Sequence, residues 1–111
     1  MANPENRRIV LAARPDGRPK PSDFRIERTP IPEPKDGEIL LETLYLSLDP
    51  YMRWRMNAAK SYAQATEIGE VMVGATVARV ARSRHPEWRD GDVVLAASGW
   101  QGFAVSDGTG L

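Results

Sequence analysis

The sequence predicts a mainly β fold, a β-rich barrel or sandwich with one or two short helical turns. Two observations carry this. Short apolar, often β-branched runs recur along the chain, separated by turns built on its 9 Pro and 9 Gly. Helical periodicity is confined to one brief stretch after Leu48.

Taken in order, RRIVLAA (Arg7 to Ala13) reads as a short strand. RPDGRPKPSDF follows, and its Pro, Gly and Asp content makes it a loop. FRIER alternates apolar and charged residues, as a half-buried strand does. TPIPEPKDGE places Pro30, Pro32 and Pro34 at every second position. Proline has no N–H to donate, so this run is expected to be extended and outside a regular ladder. Lys35-Asp36-Gly37 supplies its turn.

EILLETLYLSL is the longest strand candidate. Ile39, Leu41, Thr43 and Tyr45 would share one face, and Leu40, Glu42, Leu44 and Leu46 the other. Both faces are largely apolar, as in a central strand. NAAKSYAQATEIGE (57–70) lacks periodicity and reads as a loop. VMVGATVARVARS reads as a long bent strand, with Gly74 marking a bulge or a close backbone approach. RHPEWRDGD is a turn region, tightest at Asp90-Gly91. DVVLAAS and WQGFAVS are two more strands, joined by a short connection at Ser98-Gly99.

Bulk properties narrow the function. A length of 111 residues suits one domain, residues 1–111. Fifteen basic and 15 acidic residues give a formal net charge of +0. Nucleic-acid binders ordinarily carry a basic excess, so none is expected here. With 0 Cys, disulfides, thiolate catalysis and cysteine zinc sites are excluded. The single histidine, His85, cannot build a two-histidine site, and it stands beside Pro86 in a polar turn where a structural or solvated role is expected. No metal is expected. The run Ile9 to Ala13 is too short for a signal segment or a membrane span, so a cytoplasmic protein without membrane attachment is expected.

One stretch stands apart: LSLDPYMRWRM, Leu46 to Met56. Asp49 and Pro50 fit the start of a helical turn. Tyr51 would then share a face with Trp54 and Arg55, and Asp49 would pair with Arg53 four residues on. Tyr51 is either a packed corner aromatic or the wall of a ligand site. Met52 and Met56 either pack inward or line a pocket. Trp100 and Gln101, in SGWQ, are candidates to edge a pocket, with Trp100 alternatively a plug of the barrel.

The order of YLSLDPYMR, IGEVMVGATVARV, HPEWRDGDVVL and SGWQGFAVSDG resembles the N-terminal part of zinc-independent medium-chain dehydrogenases/reductases. Within them it resembles the group of prostaglandin reductases, alkenal double-bond reductases and bacterial curcumin reductases. The resemblance covers nearly the whole chain. It implies a GroES-like, partly open β-barrel, with a Rossmann cofactor domain expected beyond residue 111. It implies reduction, with NADPH, of the carbon–carbon double bond of an enone or alkenal. Tyr51 would then be catalytic, donating a hydrogen bond to the enone oxygen. Tyr51, Met52, Ala75 and Trp100 would line the substrate pocket, and Pro50 and Tyr51 would meet the cofactor.

Zinc alcohol dehydrogenases carry a histidine ligand where this chain has Met72. They carry a cysteine near Leu46 to Leu48, which is also absent. Plant double-bond reductases have a second pocket tyrosine where this chain has Ala75, so bacterial members are the better models. The resemblance leaves room for a homodimer of the full-length enzyme. It also implies that the 111 residues alone are inactive. The alternative is a free-standing β-barrel binding module without chemistry.

Overall fold

The computed structural model describes residues 5–57 and 65–111. Residues 58–64, within the loop expected at 57–70, lie outside the described residues. Six strands and one short α-helix follow in order: β1 (Glu5–Leu11), β2 (Phe24–Pro30), β3 (Ile39–Leu46), α1 (Tyr51–Arg55), β4 (Thr76–Ser83), β5 (Val93–Ala96) and β6 (Phe103–Ser106). A 3-10 turn, Pro21–Asp23, leads into β2. Among the described residues no helix is long and apolar enough to cross a membrane.

β1 and β2 pair antiparallel from Glu5↔Pro30 to Leu11↔Phe24. Pro30 therefore ends a ladder instead of lying outside one, as an edge strand permits. The other four strands form an antiparallel sheet in the order β5-β4-β3-β6. β3 is central, as its two apolar faces require. DVVLAAS and WQGFAVS supply its opposite edges, so the connection at Ser98-Gly99 is a crossover and not a hairpin.

Two bulges break the simple alternation. The β3–β4 register shifts at Leu40/Leu41 and again at Thr43/Tyr45. In the second shift Leu44 is the extra residue. One extra residue reverses which face the following side chains take. Tyr45 therefore leaves the face of Ile39 and Leu41: those two are 0% and 1% exposed, and Tyr45 is 73% exposed. Tyr45 sits opposite Val77, and Val77 opposite Leu95, so one cross-strand row crosses three strands to the outer strand β5.

The two sheets meet through single bridges, Arg8↔Gln101 and Val10↔Val71, and do not close a barrel. Ile9 N–H donates to the Trp100 carbonyl at 2.8 Å, and Met72 N–H to the Ile9 carbonyl at 3.0 Å. β1 is thus held on both edges. Two apolar clusters result. One lies on the four-stranded sheet, around Ile39, Leu41, Ala78, Val80 and Val94. The other joins Leu11, Met52, Met56 and Met72, with Phe24 and Trp100 packed against it.

Candidate functional site

The second cluster carries the residues that the sequence singles out. β3 ends at Leu46, and the chain turns through Ser47–Pro50 into α1. Met52 N–H donates to the Asp49 carbonyl at 3.1 Å, and Arg53 N–H to the Pro50 carbonyl at 3.1 Å. The Asp49 side chain does not cap the helix. Its Oδ2 accepts the Ser47 hydroxyl at 2.8 Å, and Pro50 occupies the cap position without a side-chain bond. The expected Asp49–Arg53 pair is also not formed. Arg53 instead donates to the carbonyls of Gly17 (3.0 Å) and Pro15 (3.1 Å) and to Asn57 Oδ1 (2.7 Å). Fixed carbonyls of the Pro-rich loop outcompete a carboxylate already engaged one turn away.

A second arginine braces the far end. Arg14 Nη1 donates to the carbonyls of Met56 (2.9 Å) and Thr66 (3.0 Å). Nothing in the sequence flagged Arg14, because its partners lie 42 and 52 residues on. α1 is five residues long and could not persist alone. Two arginine clamps and two buried methionines hold it.

Met52 and Met56 are each 4% exposed and face the cluster. The other side of the helix is open: Tyr51 is 41% exposed and Trp54 65%, with Leu48 at 71% just before it. The Arg55 guanidinium carbon lies 5.8 Å from the Tyr51 ring centroid, the expected four-residue neighbour. Tyr51 thus presents its ring and hydroxyl from a rigid seat.

The segment after Val71 lies under α1. Trp100 N–H donates to the Met72 carbonyl at 2.9 Å, and Gly99 N–H to the Gly74 carbonyl at 3.1 Å. Gly99 has φ +77, and a Cβ there would stand 2.5 Å from the Met72 carbonyl oxygen, so only glycine fits. Gly74 is the close approach that the sequence suggested, beside Leu46, Met52 and Trp100. Trp100 stacks on Phe24 with centroids 5.6 Å apart and planes 24° from parallel. Its indole N–H is buried without a partner. Ala75 is exposed, and its carbonyl accepts Ser47 N–H at 3.0 Å. Leu46, Met52, Gly74 and Trp100 therefore meet at one place, and Tyr51 and Ala75, chain neighbours of Met52 and Gly74, are exposed.

Gln101 belongs elsewhere. It accepts from Asn6 (3.1 Å), donates to the Ser98 carbonyl (2.9 Å) and joins the two sheets. It also lines a separate open cleft of about 690 Å³ over Leu41 and Ala104, which Tyr51 does not reach. The polar side chains of that cleft already bond within the protein: Ser98 with Thr76, Thr109 with Asp107, and Glu38 with Lys35 N–H. His85 Nδ1 accepts Glu87 N–H at 3.0 Å, which gives it a turn role.

Asp23, 2% exposed, lies behind the Arg53 clamp. The Lys20 backbone N–H, and then the Lys20 ammonium and Arg53, hold its carboxyl below the ordinary carboxylate range against the opposing effect of burial.

For a dinucleotide the described residues fit only in part. Their one α-helix is too short to offer an N-terminal phosphate seat, and Gly108 and Gly110 lie in a turn after β6. What they provide is an exposed phenol on a fixed support.

Residues 7–111 match the family described as the N-terminal domain of oxidoreductase. The chain is 53% identical over 106 residues to the NADPH-dependent curcumin reductase of Escherichia coli, covering 96% of this chain and 31% of that protein. It is 43% identical over 95 residues to prostaglandin reductase 1 of Oryctolagus cuniculus, covering 86% of this chain and 25% of that protein. The solved structure of CurA from Vibrio vulnificus superposes with a TM-score of 0.92 at 56% identity, covering 96% of this chain and 31% of that one. CurA in complex with NADPH superposes at 0.90 with 55% identity, covering 95% and 31%. The chain thus spans about 30% of the length of the first of these relatives. It belongs to the oxidoreductase N-terminal domain family, in the group of the curcumin and prostaglandin reductases.

Proposed function

We propose that this chain is the substrate-pocket domain of an NADPH-dependent reductase acting on the carbon–carbon double bond of α,β-unsaturated ketones or aldehydes. The observation that carries this reading is the likeness to curcumin reductase over nearly the whole chain, with a part-exposed tyrosine, Tyr51, at the start of α1. The full-length protein then continues beyond residue 111 into a Rossmann domain, which seats the diphosphate that the described residues cannot. Bound NADPH supplies a hydride for the β-carbon of the substrate.

The residues of this chain bind and orient. The Tyr51 hydroxyl donates a hydrogen bond to the carbonyl oxygen, where negative charge accumulates as the enolate develops. Pro50 fixes the backbone at the cofactor side. Ala75 leaves space for the substrate. Met52 and Trp100 back the pocket from beneath, which their packing against the apolar cluster supports. The reading needs no metal, and the 111 residues alone are inactive.

Tyr51→Phe in the full-length protein tests the donor. Loss of a required donor lowers the rate of the chemical step by about 10²–10³. Turnover with NADPH and benzylideneacetone is the measurement, with melting curves to show the fold intact. An unchanged turnover number, with a deuteride isotope effect showing that chemistry limits the rate, removes Tyr51 from the mechanism.

A further inference from the structure

Gly74 is buried, and its φ lies outside the left-handed region, so the backbone alone would accept alanine. The surroundings would not. A methyl on its Cα would stand 2.8 Å from Leu46 Cδ1, 3.2 Å from Met52 Cε and 3.3 Å from Trp100 Cδ1. Carbon atoms pack at about 3.5–4.0 Å, so all three contacts are too close.

The three neighbours differ in what they can yield. The Trp100 ring is stacked on Phe24, and its backbone is tied to Met72. Leu46 closes β3 in register with Thr76, and its Cδ1, the end of a half-buried side chain, can turn aside without moving the strand. Met52 sits on α1, the shortest and least autonomous element among these, one residue after Tyr51. Met52 is 4% exposed and packed among Leu11, Met56 and Met72, so its Cε has little space to swing into and the push passes to α1.

We propose that Gly74 is a positioning residue: its lack of a side chain sets the seat of α1, and through Met52 it sets where the Tyr51 hydroxyl stands against a bound enone. This rests on the reading of Tyr51 as the donor. No contact between Gly74 and substrate is involved.

The test is Gly74→Ala in the full-length protein, with and without Met52→Leu, which removes the Cε atom nearest the new methyl. With benzylideneacetone and NADPH, G74A is expected to lower kcat about tenfold, as a donor misplaced by a fraction of an ångström does, with a smaller change in KM. In the M52L background the same substitution is expected to cost less than twofold. A kcat unchanged by G74A overturns the proposal, and so does an equal loss in both backgrounds. If G74A alone fails to fold, the ratio of G74A/M52L to M52L is read instead, and a tenfold loss there overturns it. A geometric readout keeps the inference separate from the enzymatic reading. In NMR spectra of the 111-residue chain, G74A should move the Tyr51 ring and α1 amide resonances and leave those of β5 in place. If the wild type reduces no enone, the enzymatic reading falls and this arm alone decides: unmoved Tyr51 resonances overturn the role of Gly74.

Discussion

Tyr51 and Asp23 are visible to a reader of the sequence to different degrees, and the reason is the range of their partners. DPYMR announces an aromatic just past a strand end, and its nearest contact, Arg55, is four residues away. Asp23 in KPSDF looks like any polar loop residue, yet it is buried and accepts from Lys20 at 2.9 Å and 3.1 Å. Its folded pKa is lowered, so its contribution to stability is present above the ordinary carboxylate value of about 3.9 and is lost as pH falls through the lower folded value. Asp23→Asn should therefore be less stable than wild type at neutral pH, and the gap should narrow below about pH 4. Urea midpoints across that range check this, and a gap constant with pH would contradict it. The partners of Arg53 are the least legible of all. An i, i+4 reading chose Asp49, whereas the actual acceptors are carbonyls 36 and 38 residues earlier, which side-chain spacing cannot reveal.

At the scale of elements, every strand expected from the pattern is present, and the helical turn falls where Asp49-Pro50 suggested. Ends moved by a few residues: β1 begins at Glu5, two before the expected start, and β4 begins at Thr76 because residues 71–75 serve the junction under α1. The face assignment of Tyr45 failed for a definite reason. A bulge at Leu44 leaves composition untouched but reverses side-chain parity after it. α1 shows the dependence of a short element on its braces. Arg53→Met keeps much of the apolar stem but removes three hydrogen bonds to the Pro-rich loop and Asn57. Loss of about 1–3 kcal/mol is expected for acceptors left without a donor, in the lower part of that range where water replaces it. Denaturant titration measures the loss, and Arg53→Lys should recover only part of it because one ammonium cannot span all three acceptors. A full recovery would show that charge, not the fork of donors, holds the loop.

For the whole molecule, a mainly β architecture could be anticipated from strand count and turn chemistry, but its division into two sheets and their stitching could not. The bridges from β1 to Val71 and Gln101 join residues far apart in sequence, and only the folded chain brings them together. Calorimetry of the 111-residue chain with NADPH should give negligible heat. Micromolar binding would mean that a cofactor seat exists within these residues after all. The row Tyr45, Val77 and Leu95 has a separate consequence, for colloidal behaviour. It runs across the sheet to β5, whose outer edge is unpaired among the described residues, and Leu95 is itself 73% exposed. A greasy strip ending at an open backbone edge is a template onto which another molecule can add a strand. With a formal net charge of +0 to oppose it, concentrated solutions of the 111-residue chain should therefore turn turbid past a threshold. Leu95→Lys places a charge at that edge and should raise the threshold severalfold in light scattering, whereas the same change at the exposed but off-row Ile26 should leave it nearly where it was.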